Sequence, residues 1–385
     1  MAKKNAGGSG SIRQRANGTW EARYTAGRDP GTGKQIQRSI YGKTQAEVRK
    51  KLAKISTELD EGIYQAPNDI TVGEWLSVWL SEYNNGVKPY TRRSYESMIR
   101  VHLKPGIGNV KLTSLTVPVV QRFYNQKAAS LSPKTMKNLH GVLHGALKQA
   151  AIIGYIRNNP ADNASLPRVE KKEISPLNTA QIKAFLQAIK GHPFERLFIV
   201  ALFTGMRESE VLGLTWDCVD FAKGQITVKH QLQKNGKTRY FVPLKNNKTR
   251  TITPAALVLQ VLAEEKRKQI IAKAVAAELW EPVDVDNLVF TNEFGKYIPT
   301  NTLYHSFKRL VAKMGMPEKR LHDLRHSYAV ASLVAGDDVK TVQENMGHHS
   351  AAFTLDVYGH VTEEMKRESA NRMNSFIASL CIDQR

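Results

Sequence analysis

The chain has 385 residues, enough for two or three domains of ordinary size with cores that need no disulfide or metal to hold them. Its 56 Lys and Arg against 35 Asp and Glu leave a net charge of +21, while 41% hydrophobic and 24% charged residues match a folded protein. A disordered basic tail is therefore excluded, and a polyanion, nucleic acid above all, is the expected partner. Two cysteines 163 positions apart, Cys218 and Cys381, exclude a disulfide framework and a CxxC zinc cluster, and no apolar run of membrane-spanning length occurs.

Residues 1–60 hold 13 Lys and Arg and 5 Asp and Glu, a balance of +8. Alternating runs at 11–13, 19–24 and 35–41, broken by Asn17-Gly18 and by the turn from Asp29 to Gly33, predict a small three-stranded sheet. Thr44 then caps a helix in which Val48, Leu52 and Ile55 share a face. Arg13, Arg15, Arg23 and Arg38, interleaved with Trp20, Tyr24 and Tyr41, suit a sheet that reads DNA in a groove; Trp20 suits the core of a tiny domain equally well.

Linker composition at 61–71 ends this first unit, residues 1–62, and helices without strands follow. They lie around Trp75 to Leu80, after Lys88-Pro89, over 117–129, and from Ser132-Pro133 onward, where Leu139, Val142, Leu143, Ala146 and Leu147 make an inward stripe. An all-α domain over 70–165 is expected, with Arg92, Arg93, Arg100, Lys134 and Lys137 as its candidate phosphate contacts.

The rest, 174–385, reads as mainly helical mixed α+β. Asn178 and Gln181 form a capping box, residues 194–203 make a buried helix ending at Thr204-Gly205, and a new helix follows. Strands at 226–230, 239–243 and 249–253, with the Asn235-Gly236 turn, predict one three-stranded antiparallel sheet. Helical patterns fill 254–280, 301–314, 322–335, 339–345 and 363–380.

His322, His326, His348, His349 and His360 invite a metal reading, but no HExxH spacing, cysteine or carboxylate cluster accompanies them and neighbouring arginines would repel a dication. No metal and no cofactor are expected. A Walker A loop, a GxGxxG turn and a GxSxG elbow are all missing.

Four blocks stand out in order: Thr204-Gly205-Met206-Arg207-Glu208-Ser209-Glu210, then His322-Asp323-Leu324-Arg325, then Gly347-His348, then Tyr358 ten residues beyond His348. An HxxR pair alone is weak, but the ordered set resembles the tyrosine recombinases, the family of phage and conjugative-transposon integrases. The likeness covers 174–385 through these motifs, 70–165 more loosely as a helical core-binding (SAM-like) domain, and 1–62 as an arm-type DNA-binding domain.

Carried onto this sequence, the resemblance implies Arg207, Lys245, His322, Arg325 and His348 around a scissile phosphate, with Tyr358 as nucleophile and Glu210 supporting Arg207. Lys248, three residues from Lys245, is a rival for the general acid and otherwise a DNA contact. The chemistry is coherent without metal: planar guanidiniums suit the two non-bridging oxygens, and nearby cations favour a tyrosine phenolate. A 3′-phosphotyrosine conserves the bond energy, so strands rejoin without ATP.

The resemblance further implies double-stranded attachment sites of core and arm type, a homotetramer passing through a Holliday junction, an excisionase or host DNA-bending factor as partner, and a cytoplasmic location at the bacterial nucleoid, with no membrane. Phe376, Ile377, Leu380 and Ile382 would form an apolar end that docks on a neighbouring copy. A type IB topoisomerase-like enzyme or a non-catalytic DNA-binding regulator would share the fold; the arm-like N-terminus argues against the first and the full residue set against the second.

Overall fold

The computed structural model describes residues 11–28, 31–61, 69–170, 175–236, 238–244, 248–347 and 363–380. The chain divides into two compact units, Met1–Lys171 and Lys172–Arg385.

In the first unit, strands β1 (Ser11–Gln14), β2 (Trp20–Arg28) and β3 (Gln35–Gly42) pair antiparallel in that order. Helix α1 (Gln45–Asp60) begins where the Thr44 hydroxyl accepts the Glu47 N–H, and packs Val48 and Leu52 against Ala22 and Tyr24. Strand side chains alternate between faces, so the register sorts every residue of the sheet. Ile12, Ala22 and Ile40 align on the face that α1 covers, as do Tyr24 and Arg38, while Arg13, Glu21 and Tyr41 align on the other, together with Arg23 and Ser39.

This register puts three of the expected DNA contacts on the side that α1 covers. Tyr24 is 4% exposed in the core, Trp20 packs on the same core, and Arg38 stands opposite Tyr24 on the helix side. A domain this small has few apolar groups, and it puts Trp20 and Tyr24 against its core. Arg13 and Arg23 keep the open face, where both pair with the buried Glu21. The Ser39 hydroxyl and then the Arg13 guanidinium hold the Glu21 carboxyl down to about 2. Arg15 lies over the half-exposed Tyr41 ring, 5.3 Å from its centre.

The remainder of this unit is helical. α2 (Val72–Glu82) opens with a Thr71–Glu74 capping box, and Trp75, fully buried, donates its indole N–H to the Ala146 carbonyl of α6 (Pro133–Ile152). α3 (Pro89–Met98) continues through a wide turn, Ile99–Leu103, into α4 (Lys104–Ile107), and α5 (Val117–Ala128) completes the bundle. Arg92 and Arg93 lie on α3, and Lys134 and Lys137 are exposed in the first turns of α6.

The second unit is built on α7 (Thr179–Ala188), the buried α8 (Glu195–Thr204), α10 (Ala256–Ala276), α11 (Thr300–Lys313), α12 (Leu321–Val334) and α13 (Val339–Met346), followed by α14 (Glu363–Ser379). The helix expected after Gly205 is a single turn, α9 (Glu208–Val211). The strands depart further from expectation. The three-stranded antiparallel sheet consists of β4 (Val219–Asp220), β5 (Gln225–Val228) and β8 (Arg250–Ile252), while β6 (His230–Asn235) and β7 (Thr238–Pro243) form a separate hairpin. The run read as one strand is broken after Val228: the His230 ring bonds the Gly213 carbonyl at 2.9 Å and Leu232 is buried, which carries the hairpin out of the sheet while β8 takes its place beside β5. Among the described residues no helix is long and apolar enough to cross a membrane.

Candidate active site

Two left-handed glycines shape the site. Gly205, at φ +60°, ends α8, and a Cβ there would sit 2.3 Å from the Tyr328 ring; Gly347, at φ +64°, ends α13 against the Arg250 side chain. Each reverses the backbone where L side chains are strained. The first reversal brings Arg207 to the head of α9, where the Glu210 carboxylate reaches back to accept the Arg207 backbone N–H at 2.9 Å.

The Arg207 side chain donates to Glu210 Oε1 at 2.7 Å and to the Gly347 carbonyl at 3.1 Å. Arg325, one turn into α12 and 3% exposed, donates to the Gly205 carbonyl at 2.5 Å and to the Met346 carbonyl at 2.7 Å. Arg250 donates through Nε to the Asn345 carbonyl at 2.7 Å and through both Nη atoms to Glu210, at 2.6 and 3.2 Å. Three consecutive carbonyls at the end of α13, those of Asn345, Met346 and Gly347, thus each accept from a different guanidinium. These are the carbonyls a helix end leaves without intrahelical partners.

Glu210, 1% exposed, is the anion at the centre. Burial alone would raise its pKa, but the hydrogen bonds and charge of Arg250, and then the charge of Arg207, bring it down to about 2. His322 precedes Arg325 by three positions on α12, and its ring meets His326 edge-on at 4.8 Å. Burial of the ring, then the charges of Arg325 and Arg320, and more weakly that of Arg207, lower the His322 pKa; burial and His322 push His326 down to about 4. Glu208 shares a small hollow with His322 and Arg325, and burial raises its carboxyl. Lys248 lines an open cleft with Arg207, Arg250 and Gly347.

The structure therefore brings together Arg207, Glu210, His322 and Arg325, four of the residues singled out in the sequence, with Lys248 at the cleft. Lys245, His348 and Tyr358 lie outside the described residues. No sequence motif singles out Arg250; the only local signal is the alternating run Thr249-Arg250-Thr251-Ile252, in which the arginine takes one face of a short strand. Among the described residues no three His, Cys, Asp or Glu side chains gather into a group that could hold a metal.

The phage integrase family profile matches residues 174–365, and the N-terminal SAM-like domain of phage integrases matches 71–128. The chain belongs to the phage integrase family of tyrosine recombinases and is a site-specific recombinase. It is 29% identical to a XerC-like tyrosine recombinase of Caldanaerobacter subterraneus subsp. tengcongensis, over 91% of this chain and 94% of the relative. It is 24% identical to the ICEBs1 integrase of Bacillus subtilis, over 95% of this chain and all of that one. Among solved structures, the Tn1549 transposon integrase in complex with a circular intermediate DNA superposes with a TM-score of 0.68 at 25% identity, covering 79% of this chain and 99% of that chain. A lambda integrase tetramer bound to a Holliday junction shares the fold, with a TM-score of 0.55 at 19% identity over 88% of this chain and 96% of that one.

Proposed function

We propose that this recombinase cuts and rejoins double-stranded DNA at the attachment sites of a mobile element, with Tyr358 attacking the scissile phosphate and Arg207 and Arg325 holding its non-bridging oxygens. The observation that carries the reading is the meeting of two arginines 118 positions apart on the neighbouring carbonyls of Gly347 and Met346. Two planar cations converging on one place suit a pentacoordinate phosphorane, whose added negative charge appears only in the transition state. His322, on the same helix face as Arg325, donates to the same phosphate; its lowered pKa keeps it neutral near pH 7, a donor that adds no further charge. Lys245 or Lys248 protonates the departing 5′ oxygen.

DNA is the partner of the Tn1549 relative, and the basic balance of this chain suits the same partner. Arg13 and Arg23 on the open face of the N-terminal sheet read arm-type sites, and Arg92, Arg93, Lys134 and Lys137 contact core-site phosphates. We further read the chain as three domains, 1–62, 70–165 and 174–385, acting as a homotetramer through a Holliday junction, with an excisionase or host bending factor setting direction in the cytoplasm. The exposed Phe376 and Leu380 of the last helix dock on a neighbouring copy. Truncation after residue 370 tests that arrangement: loss of synapsis is expected, and unchanged recombination contradicts it. Strand cleavage in excess EDTA tests the chemistry, which needs no dication; loss of cleavage that Mg²⁺ restores contradicts it.

A further inference from the structure

Arg207 and Glu210 taken alone form a neutral pair, because a carboxylate bonded to a guanidinium cancels its charge. A neutral pair is a poor clamp for a phosphorane. The structure adds a second guanidinium: Arg250 grips Glu210 with both terminal nitrogens, at 2.6 and 3.2 Å, and its Nε is occupied by the Asn345 carbonyl. Its side chain is 10% exposed, against 29% for Arg207, so Arg250 lies deeper than Arg207 in the cleft that both line. Burial of Glu210 strengthens these charges, since little water screens them.

We propose that Arg250 is a positioning residue for strand cleavage: it balances the charge of Glu210, so that Arg207, aimed by the same carboxylate, keeps a net positive charge for the phosphate. The triad then carries +1, where the pair would carry none. Arg250 also fixes where that charge sits, because its Nε ties strand β8 to the end of α13, the same helix end to which Arg207 and Arg325 bond. This inference rests on the reading of Arg207 as a phosphate ligand. It asks nothing of Arg250 at the phosphate itself.

The test is a double-mutant cycle in the full-length protein, read as the single-turnover rate of covalent adduct formation on a nicked duplex that traps the cleaved strand, with duplex binding measured alongside. Arg250→Met should slow cleavage about 100-fold, the order seen when one donor to a developing oxyanion is lost, with DNA affinity unchanged. Adding Glu210→Gln removes the charge that cancels Arg207 yet keeps an acceptor for its donors, so the double variant should cleave about tenfold faster than Arg250→Met. A double variant no faster than Arg250→Met would overturn the inference, because a purely structural loss is not repaired by a second substitution in the same cluster. If Arg250→Met does not fold, Arg250→Lys should retain more cleavage than Arg250→Gln, and equal losses in the two would overturn it as well. Arg207→Ala separates the layers: full cleavage by that variant would remove the underlying reading, whereas loss of cleavage there with normal cleavage by Arg250→Met would remove the inference alone.

Discussion

Arg207 and Arg325 donate to adjacent carbonyls, those of Gly347 and Met346, although one guanidinium comes from the head of α9 and the other from one turn into α12. The end of α13 is therefore where the two arginines are gathered, and its helix dipole places partial negative charge where both cations point. The two differ in how deeply they are built in, and this separates the consequences of removing them.

Arg325 is 3% exposed and supplies the donors for two carbonyls, so Arg325→Ala should lose cleavage and about 2–4 kcal/mol of stability, since buried acceptors are left unmade. Arg207 keeps contact with solvent, and Glu210 retains Arg250 when Arg207 is gone. Arg207→Ala should lose cleavage with about 1 kcal/mol of stability or less. Urea unfolding beside an adduct assay distinguishes the two; equal stability losses would count against the burial argument.

Glu210 links stability to pH. Its pKa falls from 4.5 to about 2 in the folded protein, so its contribution is complete above about pH 4.5 and is lost as the pH drops toward 2. The shift corresponds to about 3 kcal/mol. Glu210→Gln should flatten the dependence of unfolding free energy on pH across that window, and an unchanged slope would show that Glu210 is not held as an anion by its arginines.

On the N-terminal sheet, Arg23→Ala should weaken binding to arm-site DNA and reduce its salt slope by about 1 while leaving the melting curve alone. Tyr24→Ala should instead unfold this small domain, because the ring is in its core. The reverse pattern would mean that the helix-covered face, and not the open one, meets DNA.

Lys245 and Lys248 are separated by a substrate whose leaving group needs no proton, a 5′-bridging phosphorothiolate. Alanine at the true general acid should cleave this substrate close to the wild-type rate and the ordinary phosphodiester poorly. Alanine at the other lysine should show the same relative loss on both, or none.

The helices were legible in the sequence because their apolar stripes are long: residues 301–314 were expected and Thr300–Lys313 is found, and residues 322–335 correspond to Leu321–Val334. The strands were less so. Residues 226–230 alternate as one strand would, yet the chain leaves the sheet at His230 because of contacts to Gly213 and the core that no local pattern encodes. Strand parity, by contrast, was available and sorts the two faces of the sheet: Trp20, Ala22 and Tyr24 share one parity, and Arg38 shares its own with Ile36 and Ile40. In the site, Arg207, His322 and Arg325 were marked by motif. Arg250 was not, since its meaning comes from a buried carboxylate 40 positions away.

The proposed chemistry turns on Tyr358 as the nucleophile. On a nicked duplex bearing one core site, the wild-type protein should form a covalent complex joined to the 3′ phosphate, stable to denaturant and digestible by protease. Tyr358→Phe should bind that duplex with unchanged affinity and form no adduct. A covalent complex from the Phe variant would contradict the assignment directly.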